Sequence, residues 1–131
     1  MTGVQTCALP IYIPISARVG DNRSIFMNIK DNKPDAITCV SFTSLVPDDE
    51  NELFNSSLTA NIAVFYSIWS YQKGAGKSLL FDTVEYIKKQ RPIARFVTLS
   101  PKTEMAYNFH IKNGARIFRE NNNSVNYEYY L

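Results

Sequence analysis

The chain is poor in the residues that are typical of several protein classes, and each shortage argues against one kind of site or partner. Cys7 and Cys39 are its only cysteines, so it has neither a disulfide framework nor a cysteine-based metal cluster, and we expect a reduced, cytoplasmic setting. No apolar run approaches the ~20 residues of a membrane span. The formal net charge of +2 is too small to favour nucleic-acid binding. The sequence therefore predicts no metal, membrane or nucleic-acid partner.

The first eleven residues need separate treatment. Residues 1–11 (MTGVQTCALPI) look like the translation of a common sequencing-library adapter. They lack the basic region that opens a secretory signal peptide. We therefore exclude them from fold reasoning and expect them to pack poorly. Residues 12–131 are predicted to form a single domain, whose natural beginning lies upstream of a truncation near Tyr12.

Glycine is also scarce, and two of the five glycines lie in one short turn. Gly74 and Gly76 stand between an apolar run at 62–69, which is typical of a strand, and a segment at 79–89 with helical periodicity. In such a turn several backbone N–H groups point at one place, and the helix dipole adds positive charge there. The turn therefore predicts a site for a phosphate or pyrophosphate.

Two common phosphate motifs do not fit this turn. A nucleotide P-loop needs a glycine where Tyr71 stands, and the dinucleotide fingerprint needs a third glycine where Leu79 stands. A turn that only shapes the chain remains open as an alternative.

The remaining pattern predicts an α/β domain in which antiparallel strands flank one β-α-β crossover. An edge strand, a hairpin and a short acidic helix precede the glycine turn, at 13–17, 24–29 with 36–42, and 47–54. A strand, a helix and a second hairpin follow it, at 94–99, 103–112, and 115–119 with 125–130. Ser100 is the expected N-cap of the second helix, with Pro101 at its first position, and Asn113–Gly114 is its expected end.

This order of elements resembles the GNAT acyltransferase superfamily from Ser24 to the C-terminus. The resemblance implies an N-terminally truncated GNAT fold, an α+β arrangement built on a mixed central sheet. In that family the amides of the glycine turn hold the pyrophosphate of coenzyme A. Gly74 and Gly76 match the turn, whereas the family's Gln or Arg falls on Tyr71, with Gln72 one place late.

The family's next helix carries an Ala, an apolar residue and a Tyr, and a Gly follows. Ala106, Phe109 and Gly114 match, and His110 stands where that Tyr would be. In the family the Tyr protonates the departing thiolate of coenzyme A. The resemblance therefore implies an acid role for His110.

The resemblance also implies a coenzyme A site and an acyl-CoA co-substrate, either acetyl-CoA or malonyl-CoA. Ser67, Ile68 and Trp69 would pair with the pantetheine arm through the strand backbone, and Trp69 would shape the acyl pocket. The turn would bind the phosphates through Gln72, Lys73, Gly74, Ala75, Gly76, Lys77 and Ser78.

Several segments also resemble the catalytic domain of malonyl-CoA decarboxylase, which has the same fold. They are Phe65–Ile68, Gln72–Gly74, Phe96–Pro101, Asn108–Arg116 and Val125–Tyr127. In that family a serine, a histidine and a C-terminal tyrosine are catalytic, which implies Ser100, His110 and Tyr127 here. The family's helical domain before the fold, and its long insertion between serine and histidine, have no counterpart in this sequence.

Three functions follow from these patterns. The leading one is an acyl-CoA-dependent N-acyltransferase in which an unidentified amine attacks the thioester and His110 protonates the thiolate. The second is decarboxylation by Ser100 and His110. It ranks lower because ten residues of continuous helix would separate the two side chains by about 15 Å, and only a break after Ser100 would let them meet. The third is a domain that binds acyl-CoA without turnover.

Overall fold

A computed structural model describes residues 5–6, 13, 15–54 and 59–131 of the chain. Its strands are β1 (Gln5–Thr6), β2 (Arg23–Lys30), β3 (Lys33–Thr43), β4 (Ile62–Ser70), β5 (Arg95–Thr98), β6 (Arg116–Glu120) and β7 (Val125–Tyr129). Its helices are α1 (Ala75–Gln90) and α2 (Glu104–Lys112), and short 3-10 turns occur at Ile15–Ala17 and Glu50–Phe54.

All the strands belong to one mixed sheet, in the order β2-β3-β4-β5-β7-β6, with β1 added to β4. Strands β4 and β5 are parallel, as the β-α-β pattern predicts, and the other pairs are antiparallel. The β2–β3 hairpin turns at Asp31 and Asn32, whose φ angles of 52° and 65° suit short polar side chains. The predicted GNAT order of elements is confirmed.

Both helices pack on the same face of the sheet. Leu80, Val84 and Ile87 of α1 and Phe109 of α2 are buried there against β4 and β5. Burial of such side chains contributes roughly 1.5–3 kcal/mol each. The opposite face has a second core, formed by Tyr66, Val97, Leu99 and their neighbours under Ile13 and Leu53.

Strands β4 and β5 part at the middle of the sheet. Their register ends at the pair Phe65–Thr98, and the Leu99 amide donates to the Phe65 carbonyl at 3.0 Å. Beyond this point β4 carries Tyr66 as a bulge, because β3 pairs with Phe65 and Ser67 but skips Tyr66. A bulge re-aims side chains and increases local twist, which favours separation of the strands. We call the region where the two strands part, between Ser67 on β4 and Ser100 after β5, the cleft.

The far end of β4 has a second partner on the cleft side. Thr6 and Gln5 of β1 pair with Trp69 and Ser70, and β1 also lies against α2. Other residues of the segment 1–11 lie outside the described part of the chain, as do Tyr12 and Pro14. Residues 5–6 thus pair with the sheet, and the poor packing expected of residues 1–11 stays a prediction.

Two local predictions are wrong. The predicted edge strand at 13–17 contains a 3-10 turn instead, Ile15–Ala17. Ser100 is not the N-cap of α2, because Thr103 holds that position and its hydroxyl accepts from the Ala106 amide at 3.2 Å. The helix begins at Glu104, so the chain from Pro101 to Thr103 is not helical.

Candidate active site

The break before α2 brings together the two residues that a continuous helix would have separated. Ser100 Oγ lies 3.3 Å from His110 Nε2. The Ser100 backbone is fixed to β7, since it exchanges two hydrogen bonds of 2.9 Å with Val125. Helix α2 then carries His110 back over the end of β5. The structure thus forms a buried serine–histidine pair.

A tyrosine completes the pair on the other side of the imidazole. His110 Nδ1 lies 2.6 Å from the hydroxyl oxygen of Tyr129. The predicted third residue, Tyr127, instead stacks its ring on the imidazole, with centroids 4.8 Å apart. Tyr127 and Tyr129 alternate with Glu128 on β7, so period-two spacing places both on the same face. That spacing is the sequence signal that could have identified Tyr129.

Thr98 holds the side chain of Ser100 in place through a hydrogen bond. The Ser100 hydroxyl donates to Thr98 Oγ1 at 2.8 Å, and the Tyr127 amide donates to the same oxygen at 3.1 Å. In one consistent arrangement Tyr129 donates to Nδ1 of His110, and Nε2–H then donates to Ser100 Oγ. Sequence reasoning missed Thr98, which the β5 strand pattern gave no reason to single out.

Burial dominates the electrostatics of the histidine. His110 is fully buried, and desolvation lowers its pKa to about 3. The imidazole is therefore neutral near pH 7 and has one N–H to donate. Ser100 is also buried, so this conformation closes the pair to solvent, and a substrate enters only if part of the cover moves.

The glycine turn forms the other half of the site. Gly74, with φ 83°, precedes the first residue of α1, Ala75. Three of the predicted phosphate-binding amides already have acceptors. Ala75 donates to the Gln72 carbonyl, Gly76 to Ser70 Oγ and Ser78 to the Gly74 carbonyl. Among the described residues, the Gly74 and Lys77 amides have no acceptor, so these two are available to an anion.

Gly76 is needed for close packing rather than for a special backbone angle. A Cβ on Gly76 would lie 3.1 Å from Cβ of Ser70 and 3.5 Å from a ring carbon of Phe109. The start of α1 therefore sits directly against the end of β4 and the helix that carries His110. The side chains of Gln72, Lys73 and Lys77 are exposed around it.

The predicted pantetheine edge is partly occupied by the chain itself. Ser67 and Ile68 are buried and Trp69 is half-buried. Ser67 pairs with Cys39 on the β3 side, and its carbonyl accepts from the Thr38 hydroxyl at 2.9 Å. On the cleft side Trp69 pairs with Thr6. Pairing of a ligand with Trp69 therefore requires β1 to leave.

The fold and these contacts define the class of protein: the chain has the GNAT fold. No protein-family model and no curated protein matches the sequence. Among solved structures it is similar to malonyl-CoA decarboxylase from Agrobacterium vitis, with 27% identity and a TM-score of 0.57 over 65% of this chain and 25% of that chain.

Two further solved structures show the same fold. Malonyl-CoA decarboxylase from Rhodopseudomonas palustris has 20% identity and a TM-score of 0.65, over 89% of this chain and 52% of that one. PaiA N-acetyltransferase from Thermoplasma acidophilum, in complex with coenzyme A, has 15% identity and a TM-score of 0.64, over 84% and 62%. This chain thus spans between a quarter and about three-fifths of the length of these proteins. Within the described part of the chain, neither helix could cross a membrane.

Proposed function

We propose that this chain carries the reacting groups of a GNAT-fold enzyme that decarboxylates a malonyl-type thioester of coenzyme A. The observation that supports this proposal is the distance of 3.3 Å between Ser100 Oγ and His110 Nε2. One reason to rank decarboxylation second is the expected separation of these side chains; the others are the missing helical domain and the missing insertion between serine and histidine. The contact between the two side chains removes the first reason, and the resemblance to malonyl-CoA decarboxylases supplies the chemistry.

In the proposed reaction, the bond between the methylene carbon and the carboxylate carbon breaks. Carbon dioxide leaves, and the electron pair moves into the thioester as an enolate. Ser100 turns its O–H from Thr98 to the developing enolate oxygen, while His110 Nε2–H donates to Ser100 Oγ and holds it in position. A proton that comes ultimately from water then adds to the methylene carbon, which gives acetyl-CoA.

The protonation state of His110 favours this role over the one expected for acyl transfer. The pKa of His110 is about 3, so the ring is neutral near pH 7. A thiolate with an ordinary pKa near 8.5 takes a proton readily from an imidazolium but not from the remaining N–H of a neutral imidazole. A neutral imidazole nevertheless donates a hydrogen bond to Ser100, and that is all the proposed reaction requires of it.

Coenzyme A would bind between the glycine turn and the cleft. The free amides of Gly74 and Lys77 and the positive end of α1 suit a pyrophosphate. The pantetheine arm would run along β4 past Trp69 and Ile68, and the thioester would reach Ser100. Acetyl-CoA and malonyl-CoA share everything except the terminal carboxylate, so this part of the site serves both.

An acyl-CoA-dependent N-acyltransferase is the second candidate. The observation in its favour is the likeness in fold to PaiA N-acetyltransferase, which was solved with coenzyme A. An amine would then attack the thioester directly, by proximity and charge placement. The acceptor would be a small molecule or a peptide of unidentified structure.

One assay separates the candidates. The purified chain is incubated with malonyl-CoA alone, and acetyl-CoA is followed by chromatography. A parallel reaction contains acetyl-CoA with a panel of amines, and free thiol is measured. Acetyl-CoA formed without any amine supports decarboxylation. Thiol release that depends on an amine overturns it in favour of acyl transfer, and binding without either reaction leaves a non-catalytic domain.

A further inference from the structure

A buried arginine lies beside the cleft, and no carboxylate among the described residues pairs with it. Arg18 is 8% exposed, and its only polar partners among the described residues are neutral. Its Nε donates to the Ile13 carbonyl at 2.9 Å, and its Nη1 donates to Ser67 Oγ at 2.9 Å and to Cys39 Sγ at 3.3 Å. A buried charge normally has a counter-charge, because desolvation is costly.

Neither the described residues nor the composition of the remaining ones supplies a carboxylate for Arg18. The one ion pair among the described residues joins Arg95 to Glu128. The residues outside the described ranges include no Asp or Glu, so they offer Arg18 no carboxylate. Two aromatic rings, of Tyr66 and Trp69, lie 5.4 Å from the guanidinium carbon. Cation–π contacts of this kind lower the free-energy cost of burying the guanidinium, but they do not neutralise its charge.

A second group beside Arg18 is also unsatisfied. Tyr66 is 1% exposed, and within the described part of the chain its hydroxyl makes no hydrogen bond of regular geometry, although the Arg18 guanidinium and the Cys39 thiol lie beside it. Burial raises its pKa, so it stays a neutral donor. A buried donor that lacks an acceptor, next to a buried cation that lacks an anion, forms a site with the requirements of a carboxylate.

The position of this site relates it to the serine–histidine pair. Ser67, which Arg18 contacts, and Ser100 each lie two residues beyond the last register pair, Phe65–Thr98. Because Tyr66 is a bulge, Ser67 pairs with Cys39 and lies with it and Tyr66 on the sheet face opposite to the helices, whereas Ser100 lies against His110 of α2 on the helix face. An acyl group that passes between the parted strands, which are about 4.8 Å apart where they still pair, would therefore contact both faces.

We propose that Arg18 and Tyr66 form the subsite for the free carboxylate of a short dicarboxylic acyl-CoA, and so select malonyl-type thioesters over acetyl-CoA. This inference rests on the proposed decarboxylation. The thioester carbonyl lies at Ser100 and the free carboxylate points to the guanidinium. Because the reaction discharges that carboxylate, the ion pair is stronger in the bound substrate than in the transition state. Its loss raises KM and does not lower kcat.

The test measures the affinity of malonyl-CoA and of acetyl-CoA by calorimetry for the whole chain with and without Arg18→Gln, both carrying Ser100→Ala so that malonyl-CoA is not consumed during the titration. The chain that keeps Arg18 is expected to prefer malonyl-CoA by about tenfold to a hundredfold, the range for a charge-assisted hydrogen bond. Arg18→Gln is expected to abolish this preference while acetyl-CoA affinity changes less than about twofold. Arg91→Gln is the matched control, since Arg91 stacks on Phe42 at the far end of α1.

Tyr66→Phe keeps the inference testable if Arg18→Gln does not fold. Removal of a buried hydroxyl that lacks a partner leaves stability unchanged or raises it, so malonyl-CoA affinity is expected to fall while the thermal midpoint does not. If Tyr66 had a purely structural role, its substitution would not lower malonyl-CoA affinity while leaving the thermal midpoint unchanged.

Two outcomes separate this inference from the proposed function. If both thioesters bind equally well and the variants do not change their ratio, the carboxylate subsite is wrong while coenzyme A binding stands. If neither thioester binds to the wild-type chain, both the subsite and the proposed function are overturned.

Discussion

The hydroxyl oxygen of Tyr129 lies 2.6 Å from Nδ1 of His110, on the side of the imidazole ring opposite to Ser100. This short contact couples the tautomer of the neutral ring to the direction in which the Tyr129 O–H points. If the phenol donates to Nδ1, the remaining proton is on Nε2 and points at Ser100 Oγ. Tyr129 is thereby a positioning residue for His110.

Tyr129→Phe should therefore act on turnover rather than on binding. We expect kcat for malonyl-CoA to fall by about tenfold or more, because the ring loses the partner that fixes its tautomer. Tyr127→Phe is the matched control, since Tyr127 contributes its ring through stacking. Nitrogen chemical shifts of His110 would show the change of tautomer. Equal effects of the two substitutions, with unchanged shifts, would contradict this role.

The pKa of His110 gives the chain a specific acid sensitivity. The pKa is about 3 in the folded protein and 6.5 as the ordinary value. Between these values the unfolded state binds more protons, so the stability from a neutral His110 is complete above about pH 6.5 and is lost as pH falls towards 3. From pH 7 to pH 5 the loss amounts to about 2 kcal/mol.

Urea unfolding at pH 7 and pH 5 measures this effect. His110→Gln lacks the titrating group but keeps the carboxylates, so the difference between the two proteins reports the histidine. The variant is expected to lose about 2 kcal/mol less than the wild-type chain over this interval. The same loss in both proteins would mean that His110 is not desolvated.

Gly76 provides a test of the coenzyme A site. A larger residue there meets Ser70 at 3.1 Å and forces the start of α1 away from β4. Gly76→Val is therefore expected to weaken acetyl-CoA binding at least about tenfold, because the amides at the helix start lose their alignment with the cleft. Gly114→Ala is the comparison: Gly114 has φ 97°, so an alanine there strains the backbone after the C-terminal end of α2, away from the glycine turn. If both variants weaken binding equally, the effect is a loss of stability and not of the site.

Removal of strand β1 is expected to strengthen acetyl-CoA binding, whereas the substitution at Gly76 weakens it. It pairs with β4 at Trp69 and Ser70, on the edge where a pantetheine arm would lie. Deletion of residues 1–11 is expected to raise acetyl-CoA affinity several-fold, since the ligand no longer displaces a strand. Thr6→Pro should have a similar effect, because proline disrupts strand pairing, whereas Thr6→Ala should not. Unchanged or weaker binding after the deletion would show that β1 does not compete.

Sequence patterns predicted the sheet well because its strands carry their own signals. The alternation and the apolar runs at β2, β3 and β4, the glycines at the start of α1 and the glycine after α2 are local features. The parallel pairing of β4 with β5 follows from the helix between them. These predictions needed no knowledge of distant contacts.

The site was harder to predict because it depends on where one helix begins. Ser100–Pro101 and Thr103 are both plausible helix starts by local chemistry, and the pattern favoured the first. In the structure Ser100 is held by Val125 of β7, a contact between residues far apart in sequence. That contact leaves the helix to begin after Thr103 and brings Ser100 to His110. Tyr129 and Arg18 likewise take their positions from contacts with residues far away in sequence, His110 and Ser67, and no local motif marks either of them.

The measurement that tests the central claim most directly is the rate at which the chain converts malonyl-CoA to acetyl-CoA without an amine, compared with that of Ser100→Ala. Ser124→Ala is the matched control, because Ser124 is also buried but bonds the Asp48 carbonyl. We expect Ser100→Ala to lose at least about a hundredfold in rate, with Ser124→Ala near wild type. Conversion that is equal in both variants, or absent in the wild-type chain while an amine releases thiol from acetyl-CoA, would contradict the account.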